Sequence, residues 1–136
     1  MWRHRWEWWL EVDLPAQEPV IRVIAMPADA NADGDIFGGW LLSLMDMGAG
    51  LIAARKARGR VATVAMDGVQ FHQPVKIGDE ISVFGQIEKV GRTSIQMSIG
   101  AWRRERYSEE SFKVTEARFT FVALDGNGKP RPVEQE

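Results

Sequence analysis

From Ile36 to Ala54, nineteen consecutive residues carry only two polar side chains, Ser43 and Asp46, together with four glycines. The cations Arg55, Lys56 and Arg58 and then Gly59 follow. Cations near a helix C-terminus oppose the negative end of the dipole, and a glycine past the last turn stops the helix. The stretch predicts a helix of about five turns, apolar nearly all round and therefore buried by other elements. Its length would allow a membrane span. The four glycines, the central carboxylate and the strand-like half that follows argue against one.

After Arg60 the period changes from helical to two. Ile81, Val83 and Ile87 alternate with Ser82, Gln86 and Glu88, with a break at Phe84 and Gly85. Ile95, Met97 and Ile99 alternate with Ser94, Gln96 and Ser98, and Ala117, Phe119, Phe121 and Ala123 with Glu116, Arg118 and Thr120. Val61 to Phe71 reads as another strand, irregular at Gly68, and Val20 to Met26 as a short one stopped by Pro27. Turn signals fall at Gly78-Asp79, Gly91 and Asp125-Gly126. One helix and about five strands, with one sheet face to bury, predict an α+β fold in which a mainly antiparallel sheet wraps round the helix.

The 136 residues suffice for one domain. The expected division is a Trp-rich extension over 1–17, the domain over 18–130 and a solvated tail over 131–136. Four of the six tryptophans lie in the first nine residues, but the apolar run there, Trp8 to Leu10, is too short for a secretory signal. That end is expected to be poorly ordered or packed on its own domain, and the protein cytoplasmic. Without cysteine there is no disulfide framework, thiolate metal site or cysteine nucleophile. Seventeen basic against nineteen acidic residues leave no surplus for broad nucleic-acid binding. Two histidines, His4 and His72, are too few for a histidine-rich metal centre.

Two motifs mislead. Asp29 to Asp35 matches the first half of an EF-hand loop, yet Trp40 stands where the bidentate glutamate is needed. Gly34 and Gly39 have P-loop spacing, but Trp40-Leu41 replaces the Lys and Ser or Thr that bind phosphate. The segment at Ile36 to Gly39 still offers free backbone N–H groups, because a helix begins there.

Asp46 is the unusual residue. A carboxylate in so apolar a helix needs partners or a use. It is either an anchor for a crossing segment or a general base or nucleophile, and residue chemistry alone leaves both open. Gly39 and Asp46 are separated by about 10 Å of helical rise. Helix-start donors and this carboxylate therefore act on one bond only if they come from two chains.

Asn31-Ala-Asp-Gly34-Asp-Ile-Phe-Gly38-Gly39-Trp40, followed by Met45-Asp46, resembles the signature of hotdog-fold acyl-CoA thioesterases of the YciA type. The similarity continues through Ile24 to Pro27, Gly59 to Val64, Phe71 to Asp79, Val90 to Ser94 and Phe119 to Ala123, about Val20 to Pro130 in all. The resemblance implies a central helix wrapped by the sheet, and a homodimer joined sheet edge to sheet edge that assembles as a trimer of dimers. It implies hydrolysis of acyl-CoA to free acid and CoA within fatty acid metabolism. Asp46 would be the catalytic carboxylate, paired with Asn31 of the neighbouring subunit, and the Gly38 and Gly39 amides would form the oxyanion hole. Arg92, Thr93 and Ser94, with Arg58 and Arg60, are the expected CoA-binding residues. No metal and no cofactor beyond the substrate's own CoA is expected. His72 stands where YciA-type enzymes carry an aliphatic residue, and is expected to be a strand-end side chain. The absence of histidine between Ala28 and Ala57 argues against the dehydratase branch of the fold. The alternative is a non-catalytic acyl-CoA or lipid-binding hotdog module that senses a metabolite.

Overall fold

The structure is a computed structural model and describes residues 14–134. The Trp-rich residues 1–13, and with them the expectation of a disordered or self-packed end, lie outside the described residues. Along the chain come β1 (Ile21–Ile24), a 3₁₀ turn (Pro27–Asp29), α1 (Gly38–Ala57), β2 (Val61–Phe71), β3 (Glu80–Val90), β4 (Ser94–Arg104) and β5 (Ser111–Ala123). The strands form one antiparallel sheet in the order β1-β3-β4-β5-β2.

Period-two alternation does what it predicts. Ile81 and Val83 of β3, Ile95, Met97 and Ile99 of β4, and Phe119, Phe121 and Ala123 of β5 all point to one face. There they close on Leu41, Leu44, Met45, Ala49 and Ala53 of the helix. The expected irregularity at Gly68 is present: Gly68 takes φ +64°, and the β2–β5 register slips between Asp67 and Gln70. The break in β3 also has a cause. Phe84 points to the other side of the sheet, where its ring meets Trp102 edge-on at 5.3 Å and Leu14 packs over the pair.

Three expectations need correction. The helix is not covered all round within one chain, because Met47 and Leu51, one turn apart, are each 53% exposed. The four strands it packs against cover one side only. The helix stop is Arg58, not Gly59: Arg58 takes the left-handed conformation (φ 56°, ψ 43°) and its N–H donates to the Ala54 carbonyl. Gly59 is needed for space, since a Cβ there would lie 2.7 Å from Arg131 Nη2. That guanidinium donates to the Ala57 carbonyl at 2.7 Å and caps the helix. The tail after Pro130 is not simply solvated. The Arg131 N–H donates to the Ala123 carbonyl, the Val133 N–H donates to the Arg92 carbonyl, and the Val133 side chain is buried.

β2 is an edge strand of eleven residues, exposed along most of its length, with Val64, Met66 and Phe71 open. A long unpaired apolar edge invites another strand. No described helix is long and apolar enough to cross a membrane.

Candidate active site

The acidic loop before the helix folds round Asn31. Its Oδ1 accepts the N–H groups of Asp33 at 2.9 Å and Asp35 at 3.1 Å, while the Asn31 N–H donates to the Asp35 carbonyl. Asn31 is partly exposed. Its Nδ2 amide has no partner among the described residues and remains available as a donor.

This loop delivers the chain to the start of α1 with no side-chain cap and no acidic residue in the first turn. The first N–H groups of a helix have no partner within it, and the dipole makes that end positive. Gly38 and Gly39 supply these amides. A Cβ at Gly38 would press on the Phe71 ring at 3.0 Å, whereas the space over Gly39 is open. A side chain at Gly38 would therefore push Phe71 off the helix start. Beside it lies a cavity of 340 Å³ walled by Ile36, Gly38, Leu41 and the segment from Phe71 to Val75.

Asp46 lies two turns further on, partly exposed rather than fully buried. Its Oδ1 accepts the Thr63 hydroxyl of β2 at 2.6 Å. Thr63 was not singled out from the sequence, because its nearness to Asp46 depends on how the edge strand lies against the helix. Within one chain the helix separates Asp46 from the Gly38 and Gly39 amides, as the rise per residue requires.

The five expected CoA-binding residues gather at the opposite end of the helix. Arg58 ends it. Arg60 leads into β2 and offers its carbonyl to Leu124, while Thr93 offers its own to Ala123. Ser94 opens β4 opposite Val122. Arg58 and Arg92 are exposed, with no ion pair among the described residues. Arg60 and Arg131 face Asp125, whose carboxylate accepts the N–H groups of Asn127 and Lys129. Those two hydrogen bonds, with the cations behind them, hold Asp125 below the ordinary aspartate value.

His72 follows β2 directly and lines the cavity beside Gly38. Its Nε2 lies 3.1 Å from Glu116 Oε2, which also pairs with Lys113 Nζ. Burial pulls the Lys113 ammonium below the usual lysine range, with Glu116 opposing the shift. The strand alternation put Glu116 among the polar residues of β5 and gave no sign of Lys113, since nothing in that pattern marks either as buried.

The sequence of residues 33–110 matches the family model described as the thioesterase superfamily. The acyl-CoA thioester hydrolase YciA of Salmonella typhimurium is 48% identical, over 88% of this chain and 92% of its own. The hexameric thioesterase y2039 from Yersinia pestis superposes with a TM-score of 0.84 at 46% identity, over 90% of this chain and all of that one. An acyl-CoA hydrolase from Staphylococcus aureus is 27% identical. It superposes with TM-scores of 0.77 for an aspartate-to-alanine mutant and 0.78 for an asparagine-to-alanine mutant bound to coenzyme A. Those two structures cover 82% of this chain and 69% and 67% of theirs. With one long helix packed on a five-stranded antiparallel sheet, the chain belongs to the thioesterase superfamily and has its hotdog fold.

Proposed function

We propose that this protein hydrolyses acyl-CoA thioesters in a site composed from two subunits. The observation that carries the reading is the position of Asp46, hydrogen-bonded to Thr63 on the open edge strand. Gly38 and its free amide lie against Phe71 at the other end of the same strand. A two-fold axis that joins β2 to β2 antiparallel sets the first half of one strand against the second half of the other. Asp46 of one subunit then comes to the Asn31 loop, the Gly38 and Gly39 amides and the cavity of its partner. The exposed Met47 and Leu51 are covered in the same step. The two S. aureus variants support the choice of residues: the aspartate and asparagine altered there are fifteen positions apart, as are Asp46 and Asn31.

In this arrangement the Asp46 carboxylate takes a proton from water as the water oxygen attacks the thioester carbon. The Asn31 Nδ2 amide orients the water or the thioester. The carbonyl oxygen gains negative charge against the Gly38 and Gly39 N–H groups, a contribution of about 3–4 kcal/mol per donor. The carbon–sulfur bond then breaks, and the proton held by Asp46 passes to the departing CoA sulfur. Direct attack by Asp46, giving an anhydride that water opens, uses the same groups. The cations Arg58, Arg60 and Arg92, with Thr93 and Ser94, receive the phosphates of CoA. They lie about 16 Å of helix beyond Asp46, on the side away from the acyl cavity. The subunits form a trimer of such dimers in the cytoplasm, and the chemistry needs no metal.

Thiol release from acyl-CoAs of two to sixteen carbons, compared between wild type and Asp46→Asn at equal oligomer size, tests the reading. Wild type hydrolyses, and the variant is slower by about a hundredfold. Full activity in the variant would make Asp46 an anchor. Tight CoA binding without thiol release in wild type would favour the sensor.

A further inference from the structure

His72 belongs both to the cavity at the helix start and to a buried ionic cluster. Its Nε2 is 3.1 Å from Glu116 Oε2, and Glu116 is 3% exposed. An ionised carboxylate only accepts hydrogen bonds, so Nε2 carries the hydrogen and donates it. In neutral imidazole the other nitrogen is then a lone-pair acceptor. Nδ1 has no partner among the described residues.

The charged groups beside the ring pair with one another. Lys113 pairs with Glu116 on β5, and Arg103 of β4 donates to the Gln73 side chain while pairing with Asp79 and Glu105. The helix side contributes Gly38 and Leu41, which carry no charge. Gln73 Oε1 is occupied by Arg103, and the other side chains of the cavity wall are apolar. Nδ1 of His72 is thus an acceptor without a partner among the described residues, on a ring that lines a cavity whose one other polar side chain is Gln73.

We infer that His72 sets acyl specificity, favouring an acyl chain with a hydroxyl in the cavity over a plain alkyl chain of the same length. When the ring is neutral it accepts the substrate O–H at Nδ1, while Glu116 fixes the tautomer from behind. A pocket built to hydrogen-bond a substrate hydroxyl discriminates against the analogue that lacks it. The inference rests on the thioesterase reading above, because the Gly38 amide that would hold the thioester oxygen opens onto this cavity.

The test measures kcat/KM for butyryl-CoA, for the hydroxybutyryl-CoAs substituted at the third or fourth carbon, and for the matching keto-acyl-CoA. The enzymes are wild type and His72→Leu, at pH 8, above the ordinary imidazole range. For at least one hydroxy isomer the hydroxy-to-alkyl ratio falls about three- to tenfold in His72→Leu, the worth of one hydrogen bond. The keto-to-alkyl ratio stays level, since a ketone has no hydrogen to donate. Both rates in a ratio come from one preparation, so a partly folded variant does not shift it. Equal hydroxy-to-alkyl ratios in the two enzymes overturn the inference. So does a wild-type advantage confined to the keto substrate, which would mean that the ring presents N–H. No thiol release from butyryl-CoA by wild type would remove the thioesterase reading itself, and this inference with it.

Discussion

Thr63 and Asp46 are neighbours only because the strand after the helix doubles back along it, and their hydrogen bond of 2.6 Å fixes one carboxylate oxygen. The other oxygen has no hydrogen-bond partner among the described residues. Thr63 is on this reading a positioning residue, acting on the reaction through Asp46. Replacing it by valine keeps the β-branched shape and removes the donor. A hydrogen bond to a charged group contributes about 1.5–3 kcal/mol, at the low end where water reaches it. Steady-state kinetics of Thr63→Val should therefore give a kcat about tenfold lower with KM nearly unchanged. A raised KM at normal kcat would instead place Thr63 against the substrate. Asp46 itself stood out in the sequence because a carboxylate in so apolar a run demands an explanation. Thr63 did not, because threonine is ordinary in a strand and its partner is seventeen positions away.

The strands were legible because the face toward the helix imposes period two on its residues, which β4 and β5 follow and β3 follows except at Phe84 and Gly85. The glycine irregularity in β2 was legible for the same reason. The helix was legible in extent, but the cause of its ending was not. An arginine in the left-handed conformation is tolerated there because Arg131, seventy-four positions from Ala57, caps the last turn from the C-terminal segment. A link of that length leaves no local trace. The same segment carries a pH dependence through Asp125. Its carboxyl lies below the ordinary aspartate value because Lys129 and Asn127 donate to it. A group depressed on folding adds stability above its unfolded value and loses it as pH falls through the folded one. Urea unfolding from pH 6 down to pH 2.5 should show wild type losing its advantage over Asp125→Asn below about pH 4. A constant difference across that range would contradict the assignment.

Burial all round the helix was the expectation that failed within one chain, and it failed informatively. The sequence pattern describes the helix in its final surroundings. One chain leaves Met47, Leu51 and the β2 edge open. The site is divided in the same way. Helix geometry keeps the Asp46 carboxylate and the Gly38 amide of one chain apart, and β2 lies between Asp46 at one end and Gly38 at the other. The helix rise already called for two chains if both groups act on one bond, and the resemblance supplied the pairing of Asp46 with Asn31; the edge strand provides a physical route to it. The most direct measurement is complementation between two inactive variants, Asp46→Asn and Asn31→Ala, coexpressed so that subunits assort at random. Each alone should fall about a hundredfold below wild type. If Asp46 and Asn31 meet only across the dimer, half of the dimers are mixed and each mixed dimer holds one intact site. The coassembled protein then recovers about a quarter of wild-type thioesterase activity. Activity no greater than the average of the two separate variants would show that both residues serve one subunit, and would contradict the composite site.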